Sequence, residues 1–326
     1  MSVSTPGRCL ALACCALNPA QVLADAPLYA RNLSPVAGLL GLPSQREAST
    51  REGGSFGIAL HGSVASHYVS DSGEGERVLL DGETERLALQ ARYGLAEDWE
   101  LELEVPWLRH SGGALDDLID SWHDLWGMPD GGRSAAPADR LRYGYRGDGG
   151  QFLLEDDVSG LGDISLSLHH TFYRDEEAAA SLAVGYKFAT GEERDFLGSG
   201  GDDVYAVLRF SSGMLQDLPL RWHGQLGYLR AGASDPLKPL QERDLWFAGL
   251  TLDWAIAPAW SLLAQVDSHA APLDSELTAL GDDAVFLTLG ARWRFAQEWA
   301  VDVSFIEDIR VETAPDITFQ ASLRYR

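Results

Sequence analysis

Cysteine is nearly absent: the three in the chain (Cys9, Cys14, Cys15) lie within the first fifteen residues. A disulfide framework is therefore excluded for everything that follows them. No apolar run reaches the eighteen or so residues of a transmembrane helix. Positive charge is scarce: 25 Lys and Arg stand against 49 Asp and Glu, a net charge of −24. A nucleic-acid backbone needs a basic partner, so nucleic-acid binding is set aside. Proline is modest at 14, and glycine, at 34 of 326 residues, follows no fixed period. Collagen, coiled coil and wholesale disorder are thereby excluded.

Aromatics are abundant, with 10 Trp, 10 Tyr and 11 Phe. An acidic chain this rich in rings suits a molecule whose apolar residues cover a large outer face. The cysteine-bearing start has its own logic. Arg8 precedes an apolar run from Cys9 to Leu17, and Val22-Leu23-Ala24 ends in a small residue. This is the order of a secretory signal peptide, with cleavage expected after Ala24. Residues 1–24 are thus expected to be lost on export. The sequence before Cys14 and Cys15 is a poor lipobox.

Beyond that point period-two alternation recurs. Trp99, Leu101, Leu103, Val105 and Trp107 point one way; Glu100, Glu102 and Glu104 point the other. Leu87, Leu89, Ala91 and Tyr93 alternate with Arg86, Ala88, Gln90 and Arg92. Similar units run to a last strand, Ile317 to Tyr325. About twelve strands result, an even number within the range of single-chain outer-membrane barrels. Connections alternate in length. Short ones follow Tyr93, Phe172, Phe210, Trp254 and Phe295; long ones are expected after Val69, Leu108, Phe188, Leu229, Val266 and Ile306. Short turns on one side and long loops on the other are the asymmetry of a transmembrane barrel. Tyr93, Trp99, Trp254, Trp260, Trp293 and Trp299 flank short turns, where a membrane interface favours amphipathic rings. The expected fold is all-β: an antiparallel transmembrane barrel occupying residues 53–326. The penultimate Tyr325, followed by Arg326, departs from the terminal aromatic common in such barrels.

Two segments lack strand character. Residues 25–52 hold several turn formers and are read as either a plug in the lumen or a periplasmic segment across the barrel mouth. The connection 109–160 is too long to be structureless. Within it, residues 114–126 carry helical periodicity: Leu115, Leu118, Ile119, Trp122, Leu125 and Trp126 share one face. Asp116, Asp120 and Asp124 share another, with His123 beside them. The expectation is an amphipathic helix in the second long loop, folded into or over the mouth. Asp116, Asp120, Trp122, His123 and Asp124 are its gating candidates. The three aspartates are also weak candidates for a divalent cation, though no metal is expected, because such a row usually forms a solvated face.

Inward-facing positions are polar, and the candidates for lining a solute path are Arg86, Arg92, Glu100, Glu102, Glu104, Lys187, Arg209, Arg221, Asp253, Asp267, Arg292 and Arg294. Opposite charges in a narrow lumen should pair across strands. The functional expectation is a narrow or gated channel for a small solute. The alternatives are a sealed structural or surface-interaction barrel and, more weakly, a lipid-modifying enzyme. His61-Gly62-Ser63 is similar to the His-x-Ser element of outer-membrane phospholipases, but no Asn-Gly follows and both side chains should face the lumen. No catalytic residue and no cofactor is therefore expected.

Several motifs together carry a family likeness. They are Pro27-Leu-Tyr-Ala-Arg-Asn-Leu-Ser-Pro35, Leu42-Pro43, Leu80-Asp-Gly-Glu-Thr-Glu-Arg86, Ser111-Gly-Gly-Ala-Leu-Asp116 with Trp122-His123, Pro129-Asp-Gly-Gly-Arg133, and Gly160-Leu-Gly-Asp163. They span nearly the whole exported part and resemble the DUF3187 family, exported proteins of Gram-negative bacteria with no assigned function. The resemblance implies an outer-membrane, barrel-like architecture in a Gram-negative cell. Its partners would be outer-membrane lipid and lipopolysaccharide, the barrel-assembly machinery during biogenesis, and an unknown small solute. It carries no catalytic residues to transfer.

Overall fold

The computed structural model describes residues 26–73, 75–113, 137, 139–147, 150–214, 218–234, 236–238, 240–310 and 312–326. The signal peptide expected over residues 1–24 lies outside the described residues. So does the helix expected over 114–126, with Asp116, Asp120, Trp122, His123 and Asp124.

Fifteen strands form one antiparallel sheet. They are β1 (Phe56–Ser72), β2 (Arg77–Ala96), β3 (Trp99–Ser111), β4 (Arg142–Gly147), β5 (Gly150–Leu154), β6 (Val158–Leu161), β7 (Ile164–Arg174), β8 (Ala178–Phe188), β9 (Asp203–Ser212), β10 (Leu220–Arg230), β11 (Asp244–Ala257), β12 (Trp260–His269), β13 (Ala284–Ala296), β14 (Trp299–Asp308) and β15 (Ile317–Tyr325). Twelve of them, β1–β3 and β7–β15, close into a barrel, with β1 paired to β2 on one side and β15 on the other. Closure leaves no free edge in the wall, which a membrane demands of any β structure.

The alternation sets the two faces. Along β3, Trp99, Leu103 and Trp107 are exposed while Glu100 and Glu104 are buried. The outer face is predominantly apolar: Leu60, Leu89, Val184, Leu208, Leu226, Leu250 and Val303 all stand exposed. At the short-turn end the rings of Trp260, Trp293, Phe295, Trp299 and Tyr325 form a continuous chain of contacts across four strands, with Trp260 stacked on Trp293 at 5.8 Å. This end is periplasmic by the rule that outer-membrane barrels turn tightly there.

Two expectations are corrected at the long-loop end. No long connection follows Val69: β1 and β2 stay paired out to Ser72 and Arg77, so only a tight turn joins them. The connection 109–160 does contain strands. β3 extends to Ser111, β4 and β5 form a hairpin on the edge of β2, and β6 pairs with the end of β3. The reason is burial. Val69, Val78, Leu80, Tyr143, Tyr145 and Leu154 from these strands join Phe196, Leu237, Leu273, Leu277 and Leu280 from other loops in one apolar core. A strand buried above the membrane keeps pairing because its backbone cannot face water. Helix among the described residues is limited to the turns Ala37–Leu39 and Glu193–Asp195 and the single turn Thr278–Gly281.

Besides the bulges beside the short turns, the wall is interrupted between β6 and β7. Pro106, which lacks an N–H, sits opposite the break between β6 and β7, and Gly162 N donates to its carbonyl at 2.9 Å. The break frees Asp163 to accept from Lys187 and from the backbone N–H groups of Thr190, Gly191 and Ser199. A single carboxylate thus pins the following loop to the rim.

The exposed band makes a direct prediction. Leu250 lies mid-strand in β11 and half exposed. Leu250→Arg should cost about 2–4 kcal/mol if that face meets hydrocarbon. Denaturant titration of the barrel in lipid vesicles measures it, and a neutral substitution would contradict the membrane-facing assignment.

Candidate functional site

Residues 26–52 lie inside the barrel. They contain no strand, only the turn Ala37–Leu39. Contacts with strands of known direction trace the path. Pro27 and Tyr29 meet the periplasmic half of β15, where Arg324 Nη2 donates to the Pro27 carbonyl at 3.1 Å and Gln320 donates to that of Tyr29. Asn32 reaches the far end of β12 at His269 and the Thr313 carbonyl beyond. Val36 and Leu39 enter the apolar core at the long-loop end. The chain then descends. Gly41 N donates to Asp203, Gln45 Nε2 to Asp267, and Ala48 N to Ser211. It leaves the lumen beside Gly94 of β2, where a Cβ would overlap the Glu52 carbonyl.

An irregular chain at membrane depth must find its hydrogen bonds in the protein around it. The wall supplies them. Wall hydroxyls and carboxylates accept from Gly41, Ala48, Thr50 and Arg51 N–H, at 2.8–3.0 Å. Wall side chains donate to the carbonyls of Leu39, Ala48 and Thr50 through Lys187, Thr171 and Arg174.

The charges are shared as well. Arg46 bridges Glu100 at 2.7 Å and Glu102 at 2.6 Å. Arg31 lies 3.2 Å from Glu104, which also holds Arg86 at 2.6 Å. Arg92 spans Glu100 on the wall and Glu47 on the inserted segment, at 2.8 and 2.7 Å. Tyr29 donates to Glu104, accepts from Arg86 and stacks on His61 at 3.9 Å. Burial would push the Glu47 carboxyl up, yet the Arg92 and Arg46 guanidiniums outweigh it and hold it below the ordinary carboxylate range. Burial pushes the Tyr29 hydroxyl up to about 12, so it stays a donor.

The twelve lumen-lining candidates all point inward. Arg86, Arg92, Glu100, Glu102 and Glu104 form the ladder on β2 and β3 just described. Lys187 lies between Asp163 and Asp203, at 2.8 and 3.2 Å. Arg292 and Arg324 clasp Asp302, both at 2.7 Å. Arg221 stands opposite Asp253 across β10 and β11. Arg294 donates to Ser261. Arg209 bonds His169 and reaches toward the Ser44 carbonyl. Asp267 accepts from Gln45 and Gln265. Strand periodicity identified these wall groups. It could not identify Tyr29, Arg31, Gln45, Arg46 and Glu47, because the segment that carries them has no period. His61 and Ser63 face the lumen too, but bond separately, to Ser322 and Gln320.

Little space remains. A cavity of about 30 Å³ lies between Ser44–Glu47 and β2, β3 and β7. Another of about 30 Å³ lies between Ala30–Asn32, Leu40–Pro43 and β10–β13. Each has room for about two waters.

The family described as "Protein of unknown function (DUF3187)" matches residues 7–326. The chain belongs to this family. No curated protein matches it. Among solved structures, this DUF3187 barrel is similar to the COG4313 outer membrane channel of Pseudomonas putida F1, with a TM-score of 0.55 and 14% identity over 85% of this chain and 96% of that one. That likeness shows a shared outer-membrane barrel fold. The NanC porin (TM-score 0.47, 7% identity, 83% and 100% coverage) and the Ralstonia pickettii toluene transporter TbuX (0.43, 12%, 94% and 99%) also match.

The Glu47 pairing predicts how acid acts. Its depressed pKa stabilises the inserted segment fully above the unfolded value of about 4.3. That contribution fades as pH falls through and below this value. Pepsin cleavage within residues 26–52 should therefore accelerate as pH drops from about 5 to about 2, before the strands are cut. Glu47→Gln should raise cleavage at pH 5 and flatten the dependence.

Proposed function

We propose that this protein is a gated outer-membrane channel for a small solute, closed in this state by residues 26–52. One observation carries the reading. The inserted segment is held in mid-lumen by hydrogen bonds and ion pairs to the wall, groups that water can satisfy equally well once the segment leaves. A sealed lumen is more simply filled by wall side chains packed on one another. The shared fold with an outer-membrane channel supports an outer-membrane location, as does the apolar outer face. In this reading the protein resides in a Gram-negative cell, and Arg86, Arg92, Glu100, Glu102, Glu104, Lys187, Arg209, Arg221, Asp253, Asp267, Arg292 and Arg294 line the solute path. Outer-membrane lipid and lipopolysaccharide surround it, and the barrel-assembly machinery inserts it.

The rival reading is a sealed structural or surface-interaction barrel. The apolar core at the long-loop end favours it, since Val36 and Leu39 anchor the segment there. A lipid-modifying enzyme has less support, because His61 and Ser63 are bonded to different partners.

A disulfide lock separates the first two. A Cβ built on Gly41 stands 3.3 Å from Asp203 Cβ, near the roughly 3.5–4.5 Å that a disulfide spans. Gly41→Cys/Asp203→Cys should be silent in a planar bilayer when oxidised and give discrete openings when reduced. Silence of both forms and of the unsubstituted protein would support the sealed barrel. Openings indifferent to oxidation would place the path elsewhere.

A further inference from the structure

The inserted segment places its arginines on one stripe of the wall, and those contacts have the form of a ligand complex. β3 presents Glu100, Glu102 and Glu104 on successive inward positions. The wall itself offers two guanidiniums to these carboxylates, from Arg86 and Arg92. The inserted segment adds two more: Arg31 reaches Glu104 at 3.2 Å, and Arg46 gives its two terminal nitrogens to two different glutamates. This fork geometry is strong because each bond is charge-assisted. Glu102 depends on it most, since the other guanidinium near it, Arg92, is 3.9 Å away.

Two further observations point to a place built for a cation that comes and goes. Arg46 and Glu102 line the water-sized cavity beside the ladder. Buried there, Arg46 Nε and Glu47 Oε2 have no hydrogen-bond partner among the described residues. A permanent structural ion pair normally satisfies all such atoms. The approach is also suited to cations. The loop stretch 274–283 carries Asp274, Glu276, Asp282 and Asp283 with no basic residue. The stretch 307–316 carries Glu307, Asp308, Glu312 and Asp316 against Arg310. Even with Arg310 paired to Asp282 at 2.8 Å, these two stretches are net acidic, which raises the local concentration of cations.

Resting on the channel reading, we propose that the Glu100–Glu102–Glu104 ladder is the lumen's subsite for a guanidinium-bearing solute, occupied in the closed state by the protein's own Arg46. The inserted segment is then a tethered competitor of the solute. Guanidinium fits better than a compact ammonium because two carboxylates are met at once by separate nitrogens of one fork.

Vacating the site and refilling it tests this. Arg46→Ala, refolded in detergent or vesicles, is titrated with methylguanidinium, with tetramethylammonium as the control cation. Thermal unfolding reports binding, and bilayer recording reports conductance. Methylguanidinium should raise the midpoint saturably in Arg46→Ala, and tetramethylammonium should not. The effect should be weakened by about tenfold or more in Arg46→Ala/Glu102→Gln, the expected loss for one charge-assisted bond. Unsubstituted protein, with its site filled, should respond far less. Arg46→Lys, which keeps the charge but not the fork, controls for folding and should bind methylguanidinium no better than the unsubstituted protein. Equal responses to both cations, or a response unchanged by Glu102→Gln, would overturn the proposal. The two readings fail separately. Saturable binding without any openings keeps the cation site and removes the channel. Openings without selective binding keep the channel and remove the guanidinium site.

Discussion

Backbone N–H and C=O groups at membrane depth need partners, and residues 26–52, whose described secondary structure is the turn Ala37–Leu39, take many of theirs from wall side chains. The barrel satisfies its own backbone by closing on itself. The inserted segment cannot, so it borrows from the wall: Asp203, Ser211, Thr171 and Glu100 accept its N–H groups, while Lys187, Gln320 and Arg324 donate to its carbonyls. This explains why inward positions of so many strands are polar. Other inward groups pair within the wall, as Arg292 and Arg324 do with Asp302.

The closure has two layers of different chemistry. In mid-lumen it is polar and ionic, with Arg46, Arg31 and Glu47 exchanging partners with the β2–β3 ladder. At the long-loop end it is apolar, with Val36 and Leu39 seated among Leu80, Tyr143, Leu277 and Leu280. The apolar layer holds the tip of the segment, and the ionic layer holds its middle. In the proposed channel, opening would require the loop core to loosen, because the tip of the segment is part of it. The extended strands β1 and β2 and the β4–β5 hairpin belong to that core, which couples the outer loops to the lumen.

Much of this was legible in the sequence, for a specific physical reason. A strand in a barrel wall has two unlike solvents, lipid and lumen, so Trp99 to Trp107 declares both faces at once. Strand number, the aromatic ring at the short turns and the inward charges follow from that alternation. The extracellular strands escaped because they are short: Arg142 to Arg146 alternate over a strand of only six residues, and Phe152-Leu153-Leu154 in β5 has no period at all. The inserted segment escaped more completely. Its partners are chosen by shape, and nothing in Gln45-Arg46-Glu47 announces Asp267, Glu100 or Arg92.

The central claim is that an irregular segment is seated in the lumen by wall side chains. Hydrogen–deuterium exchange on the barrel in lipid tests it most directly. The amides of Gly41, Ala48, Thr50 and Arg51, each bonded to a wall side chain, should exchange slowly and as one group, ahead of the strands but far behind free chain. Exchange of these amides at the rate of an unstructured peptide would show that the segment does not rest there, and the account would fail.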